Sequence, residues 1–203
     1  MPRIWLAMVL FWLCGPAWAL LPATLDSADL RLSLGPSMAY LEDSKGMLSA
    51  EQVGALSDER FTPVNGEHAN LGKNDSIWWF KVRLNNRLAQ DLAGYLEVNY
   101  PLLDHLQVYL RHADSQWQMQ ESGDRFAFSQ RPVQVRNFWF PLELTPGEST
   151  LLVRVETTST IFMPLFFSTY QASAAAQENL MGINGAFYGV LFAMLCYNLF
   201  LFI

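Results

Sequence analysis

Residues 77–84 read IWWFKVRL, and the alternation inside that stretch decides the fold. Side chains along a strand point to opposite faces in turn. Trp78, Phe80, Val82 and Leu84 therefore share one face, and Trp79, Lys81 and Arg83 share the other. A helix of about 3.6 residues per turn would scatter the two cations among the aromatic rings. The stretch is a strand with one apolar and one mixed side.

The same period recurs downstream. Gly94–Tyr100 sets Leu96, Val98 and Tyr100 against Tyr95, Glu97 and Asn99. His105–Arg111 sets Leu106, Val108 and Leu110 against His105, Gln107, Tyr109 and Arg111. Gln116–Gln120 is a shorter strand carrying Trp117 and Met119, and Val133–Phe140 sets Phe138 and Phe140 against Asn137 and Trp139. Leu151–Glu156 and Phe162–Tyr170 complete the series, with Pro164 bending the last strand or placing it at an edge. Turns at Asn85-Asn86, His112-Ala113-Asp114 and Thr145-Pro146-Gly147 fall at the spacing of an antiparallel sandwich. No ten-residue helical stripe separates the strands, which argues against a parallel α/β sheet. The expected fold is mostly β: a jelly-roll β-sandwich.

Upstream, Leu30, Leu32 and Leu34 alternate with Arg31 and Ser33, and Met38–Leu41 is a second short strand. Ser49 with Gln52 three residues later predicts a capped helix over Ala50–Ala55. Phe61–Gly72, rich in Pro, Asn and Gly, reads as loop.

Both ends are apolar. Gly182–Ile203, GINGAFYGVLFAMLCYNLFLFI, has no charged residue and is long enough to cross a bilayer core of about 30 Å as a helix. No Lys or Arg follows it, so the chain reads as the front of a larger membrane protein. Gly182, Gly185 and Gly189 line one helix face, extended by Ala186 and Ala193, and Asn184 and Asn198 add polar groups that favour a partner helix. At the other end Arg3, the apolar Ile4–Cys14 and Ala17-Trp18-Ala19 make a cleavable secretory leader, with an uncleaved anchor as the alternative. The expected division is a leader over 1–19, an exported sandwich over 20–174, and a linker with the start of the membrane region over 175–203. Gln171–Asn179 is either that linker or the first turns of the membrane helix.

A net charge of −6 argues against nucleic acid and against an anionic membrane surface as partners. The 2 cysteines, Cys14 and Cys196, lie in the two apolar ends. The exported segment therefore has no disulfide, thiol nucleophile or thiolate metal site.

Several short motifs then recur in a familiar order. Tyr40-Leu41-Glu42-Asp43 precedes Leu48-Ser49; Trp79-Phe80-Lys81-Val82 precedes Leu84 and Asn86; and Pro101-Leu102-Leu103-Asp104 leads to Val108-Tyr109-Leu110. Gly123-Asp124, Arg136-Asn137-Phe138, Phe140-Pro141-Leu142, Leu152-Val153-Arg154-Val155, Pro164-Leu165, Tyr188-Gly189 and Tyr197-Asn198-Leu199 follow. This series resembles the second type of extracellular sensor domain of bacterial seven-transmembrane receptors with diverse intracellular signalling modules. The resemblance implies a periplasmic jelly roll similar to carbohydrate-binding modules, anchored in the inner membrane. It also implies further membrane helices and a cytoplasmic output such as a histidine kinase or diguanylate cyclase. Lys81 stands where that family usually has Arg, which weakens a bidentate role there.

A sugar site needs aromatic faces for the pyranose C–H surface and planar polar groups for its hydroxyls. The alternation gathers both on one expected sheet face, which with the loop rim beside it is the expected site: Trp79, Lys81 and Arg83; Tyr95, Glu97 and Asn99; Gln107, Tyr109 and Arg111; and Arg154 with Glu156. Arg136 is a candidate either for holding an anionic ligand or for capping a neighbouring loop carbonyl. The bland alternative is a solvated sheet face with cross-strand pairs such as Arg83 with Glu97. Asp104 reads as a turn residue. His68, His105 and His112 lack metal-ligand spacing, and the acidic pairs Glu42-Asp43 and Asp58-Glu59 lack the oxygen ladder of a calcium loop. No cofactor motif and no nucleophile elbow appear, so no enzyme is expected. The expected function is ligand sensing, with carbohydrate as the expected ligand class and a second copy of the chain as a further candidate partner. The alternative is an envelope protein–protein interaction domain.

Overall fold

The computed structural model describes residues 20–113 and 115–202, with the backbone alone over 176–181. The expected leader, Asp114 of the expected turn, and Ile203 lie outside the described residues. The chain begins with β1 (Ala23–Leu25), β2 (Arg31–Ser33) and β3 (Met38–Asp43). Helix α1 (Ala50–Ala55) precedes β4 (Thr62–Pro63), β5 (Ala69–Lys73) and the long β6 (Ile77–Asn86). Next come β7 (Leu92–Val98), β8 (His105–His112), β9 (Gln118–Ser122) and β10 (Phe138–Leu144). β11 (Gly147–Glu156), β12 (Thr160–Met163) and β13 (Leu165–Thr169) lead straight into helix α2 (Tyr170–Phe202).

Two sheets form the sandwich. The large one has seven strands in the order β4-β3-β6-β11-β8-β9, with β1 parallel beside the end of β6. The small one has four, β10-β7-β13-β2, and β5 pairs with β12 separately. From β6 to β8, and again from β9 to β13, the chain crosses between the sheets. That winding makes the expected jelly roll.

The alternation read from the sequence places the core. Phe80, Val82 and Leu84 of β6, Leu106, Val108 and Leu110 of β8, and Leu151, Val153 and Val155 of β11 face inward from the large sheet. Leu96, Val98, Phe138, Phe140 and Phe167 meet them from the small sheet. Each such side chain stabilises the fold by about 1.5–3 kcal/mol relative to exposure. Where the sheets meet at their β9 and β10 edges, the Gln120 Nε2 donates to the Pro141 carbonyl at 2.7 Å. That bond occupies a carbonyl on an otherwise open strand edge.

Three expectations need correction. The expected loop Phe61–Gly72 contains β4 and the start of β5. The expected strand over Val133–Phe140 begins only at Phe138. Ahead of it, the Arg131 Nη1 donates to the carbonyls of Val135 (3.0 Å) and Arg136 (2.9 Å), groups that a ladder would otherwise use. Phe162–Tyr170 breaks at Pro164 into β12 and β13, and the Pro164 carbonyl accepts from the Asn99 N–H at 3.0 Å. Of the two readings of Gln171–Asn179, the first turns of the membrane helix is the one observed: the span is continuous helix, and no flexible linker separates the sandwich from the apolar run.

The middle of the large sheet's outer face is dry. Trp79 and Leu152, on adjacent strands, are buried with Ala39 beneath Ala50 and Val53 of α1 and beside Phe61. The helix is fixed by the expected capping box, in which the Ser49 Oγ accepts from the Gln52 N–H and the Gln52 Oε1 accepts from the Ser49 N–H. Gly54 lets α1 reach the sheet's edge, since a Cβ there would lie 2.5 Å from Trp117 Cζ2. Leu152→Ala is therefore expected to cost about 2–5 kcal/mol, the range for a buried leucine. Chemical denaturation compared with Leu151→Ala checks it; a cost under about 1 kcal/mol for Leu152 alone would mean a wet outer face.

Candidate functional site

The candidate residues divide between two outer faces. Strand register brings Trp79, Lys81, Arg83, Tyr109 and Arg154 together on the large sheet: Lys81 pairs with Leu152, which pairs with Tyr109, and Trp79 pairs with Arg154. The ring centroids of Trp79 and Tyr109 lie 5.7 Å apart. The grouping is as expected, but the surroundings differ. Trp79 is 1% exposed and Lys81 4%, so neither presents a surface to a ligand. The sequence carried one sign of this. Leu151, Leu152 and Val153 are apolar in succession, which a strand with one wet face does not tolerate.

A buried lysine needs a counter-charge. Asp58, in sequence only half of an acidic pair unsuited to calcium, supplies it. Its Oδ1 lies 3.0 Å from Lys81 Nζ and its Oδ2 lies 2.8 Å from Arg83 Nη2. Lys81 also donates to the Leu56 carbonyl at 3.3 Å and lies over the Phe61 ring at 4.9 Å. Burial alone would raise the Asp58 pKa. The hydrogen bond and charge of Lys81, the Leu20 N–H and the charge of Arg83 outweigh burial and hold it below the ordinary value. Arg154 pairs with Glu156 at 3.1 Å, and the Tyr109 hydroxyl donates to Gln107 Oε1 at 3.2 Å. Burial pushes the Tyr109 hydroxyl pKa up.

Tyr95 and Glu97 sit on the opposite side of the molecule, because β7 pairs with β10 and β13 in the small sheet. The expected Arg83–Glu97 pair is therefore replaced. Glu97 is 2% exposed, and its Oε2 accepts from Arg31 Nε (3.2 Å) and Nη2 (2.9 Å). Glu97 Oε1 and the hydroxyl of the neighbouring Ser168 are buried with no hydrogen-bond partner among the described residues. A polar chain continues from Glu97. Asn99 Nδ2 donates to Glu97 Oε2 at 3.4 Å, and Asn137 Nδ2 donates to Asn99 Oδ1 at 3.0 Å.

Aromatic rings flank that chain. Trp139 pairs with Glu97 across β10 and β7, and Phe166 pairs with it from β13. The Trp139 and Tyr95 centroids are 5.1 Å apart, and Tyr95 is 4.7 Å from Tyr170, the first residue of α2. The Arg31 guanidinium lies 4.4 Å over the Phe166 ring. Trp139, Phe166 and Arg31 were not candidates in the sequence reading, although Trp139 falls on the outward side of its strand by simple alternation. Arg136 is exposed in the loop before β10 and joins neither face.

Two small cavities lie elsewhere. One of about 110 Å³ is lined by Asp104, Arg125, Thr158 and neighbours; the other, about 150 Å³, lies beside Leu20, Asp58 and Phe61. Both fall short of the roughly 300 Å³ at which small-molecule pockets begin. Asp104 is the turn residue expected: it accepts from the Thr158 N–H (2.9 Å) and hydroxyl (2.8 Å) and from Arg125 (3.2 Å). Among the described residues, no three His, Cys, Asp or Glu side chains stand close enough to hold a metal ion.

The family described as 7TMR-DISM extracellular 2 matches residues 35–169. The chain belongs to that family. It is the extracellular sensor domain of a seven-transmembrane receptor type, a class defined by sensing rather than by catalysis. The Gly182–Phe202 stretch of α2, with mean hydropathy 1.8 and 0% buried, is long and apolar enough to cross a membrane. The protein is accordingly an inner-membrane one with its sensor domain in the periplasm. No curated protein matches the chain. One similar solved structure is described as "Structural basis for the promiscuous specificity of the carbohydrate-binding modules from the beta-sandwich super family". It is 9% identical, covers 65% of this chain and 51% of that one, and has a TM-score of 0.29, too distant to bear on the ligand.

The half-buried ion cluster around Asp58 makes stability depend on acid. The Asp58 pKa is lowered in the fold, so its contribution is present above the unfolded carboxylate value near 3.9 and is lost as pH falls through the lower folded value. Asp58→Asn is expected to lower stability at pH 7 and to flatten the fall in stability below about pH 4. Urea titrations at pH 3, 4 and 7 read both effects, and an unchanged acid slope would exclude Asp58 as a contributor.

Proposed function

We propose that the outer face of the small sheet is the sensing surface of this receptor domain, and that its ligand is a carbohydrate. One observation carries the reading: the run of rings Trp139, Tyr95 and Tyr170 ends on the first residue of the helix that continues into the apolar segment. The chemistry beside it suits a sugar. Trp139 and Tyr95 offer ring faces to pyranose C–H groups, while Asn137, Asn99, Glu97 and Arg31 form a line of planar polar groups for hydroxyls. Glu97 Oε1 is an acceptor without a donor, the kind of buried group that a ligand hydroxyl would satisfy. A rotation of the Arg31 side chain, which is 39% exposed, would open it.

The signalling role follows from the connection. A ligand shifts an equilibrium only through its different affinity for the two states. Contacts that reach Tyr170 give such a difference between two placements of α2. Further membrane helices and a cytoplasmic output module would receive it. The reading of a protein-binding envelope domain is less well supported, because a protein patch calls for continuous apolar surface. Here the rings are interleaved with Glu97, Asn99 and Arg31.

A thermal-shift screen of the whole chain in mild detergent against mono- and oligosaccharides finds the ligand, since a binder of the folded state raises its midpoint. Trp139→Ala and Tyr95→Ala are each expected to weaken that binder about tenfold or more, equivalent to about 1.4 kcal/mol. Tyr109→Ala, on the other sheet, leaves affinity unchanged. The proposal is overturned if calorimetry shows the reverse pattern, or if no saccharide shifts the midpoint.

A further inference from the structure

The first described residue is already part of the fold. Leu20 packs at the margin of the second core, beside Ala39 and Phe61, and its backbone N–H donates to Asp58 Oδ2 at 3.2 Å. Asp58 is the carboxylate that faces both Lys81 and Arg83. Next along, Leu21 is 74% exposed, and β1 begins at Ala23 with a parallel pairing to β6. The chain is thus anchored at the residue that follows Ala17-Trp18-Ala19, the small-residue pattern of a leader cleavage site.

We infer that the Ala19–Leu20 bond is a processing site and that the amino terminus made by cleaving it is a structural ligand of Asp58. A membrane signal peptidase adds water across the bond: Ala19 leaves with a carboxylate, and Leu20 keeps an ammonium. The neutral amide donor at Asp58 becomes a charged one, and a charge-assisted hydrogen bond is stronger than a neutral one. Cleavage at this bond would therefore tighten the same carboxylate that secures the short helical turn Asp58–Arg60 against β6. Cleavage elsewhere would leave a peptide nitrogen at that position, with the new charge displaced along the chain. This assignment does not depend on what binds the small sheet, which lies on the other side of the sandwich.

The full chain, expressed with its leader and purified from membranes, tests it in two steps. Intact mass or amino-terminal sequencing is expected to show a first residue of Leu20. A different first residue, or a retained leader, overturns the proposal. A second protein carries one serine inserted between Ala19 and Leu20, so that cleavage after Ala19 leaves Leu20 with an amide. Asp58→Asn is expected to shift the unfolding equilibrium about fivefold more in the protein beginning at Leu20 than in the serine-extended one, the increment of a charged over a neutral donor. Equal penalties overturn it. If Asp58→Asn does not accumulate, acylation of the terminal amine decides. Slower reaction at Leu20 than at the added serine supports the pairing, and equal rates refute it.

Discussion

Leu151, Leu152 and Val153 are buried in succession at 0% exposure, so β11 has to be covered on both of its faces at once. That constraint sets the architecture. A strand with no wet side must lie inside its sheet, and β11 runs between β6 and β8. Its inward residues join the sandwich core, while Leu152 and its neighbour Trp79 require a second layer, which α1 and Phe61 provide. Covering Trp79 also covers Lys81, two residues on along the same side of β6, and a covered ammonium requires a carboxylate. Asp58 meets that need from the turn that follows α1. The short helix, the acidic turn and the cation on β6 are thus consequences of one strand's two-sided burial. The middle of the large sheet's outer face, around Trp79, Lys81 and Leu152, is thereby closed to recognition.

How much of this the sequence could reveal depends on the range of the interaction. Alternation is local, and it correctly gave the two faces of β6, β7 and β8, down to Phe80 inward and Lys81 outward. The capping box is local too, and α1 starts where Ser49 and Gln52 place it. Sheet membership is a matter of distant pairing and leaves no trace in a single strand. Tyr95 and Glu97 look like partners of Trp79 by pattern, yet β7 pairs with β10 and β13. Asp58 is invisible for the same reason: its cations lie far downstream on β6, and a single aspartate before a glutamate has no signature. The second core was partly legible, since three consecutive apolar residues at 151–153 do not fit a half-wet strand. The loop at Val133–Asn137 turns on Arg131, whose guanidinium captures carbonyls that the alternation alone would assign to a ladder.

The junction of sandwich and helix is built without slack. Thr169, the last residue of β13, accepts from the Leu30 N–H (3.2 Å) and from the Ala172 N–H (3.4 Å) with the same Oγ1, and its own N–H donates to the Leu30 carbonyl at 3.0 Å. One side chain therefore binds the segment leading into β2 and the first turn of α2 together. A second tie comes from Tyr170 against Tyr95. A flexible connection would absorb a displacement of the sheet, whereas a helix that starts on the strand's next residue inherits its direction.

Such a junction needs little energy to act as a switch. An aromatic pair contributes about 0.5–1.5 kcal/mol beyond its buried area. If a ligand seated on Trp139 and Tyr95 makes or breaks the Tyr95–Tyr170 contact, the upper end of that range changes the ratio of two helix placements about tenfold. The orphaned Glu97 Oε1 works in the same direction, because satisfying it in only one arrangement of Arg31 adds a further difference between states. Glu97 lies directly across β13 from Phe166, and Tyr95 directly across from Ser168, the residue before Thr169. The proposed ligand surface and the helix junction therefore share β7 and β13, with Trp139 added from β10 and Arg31 from β2.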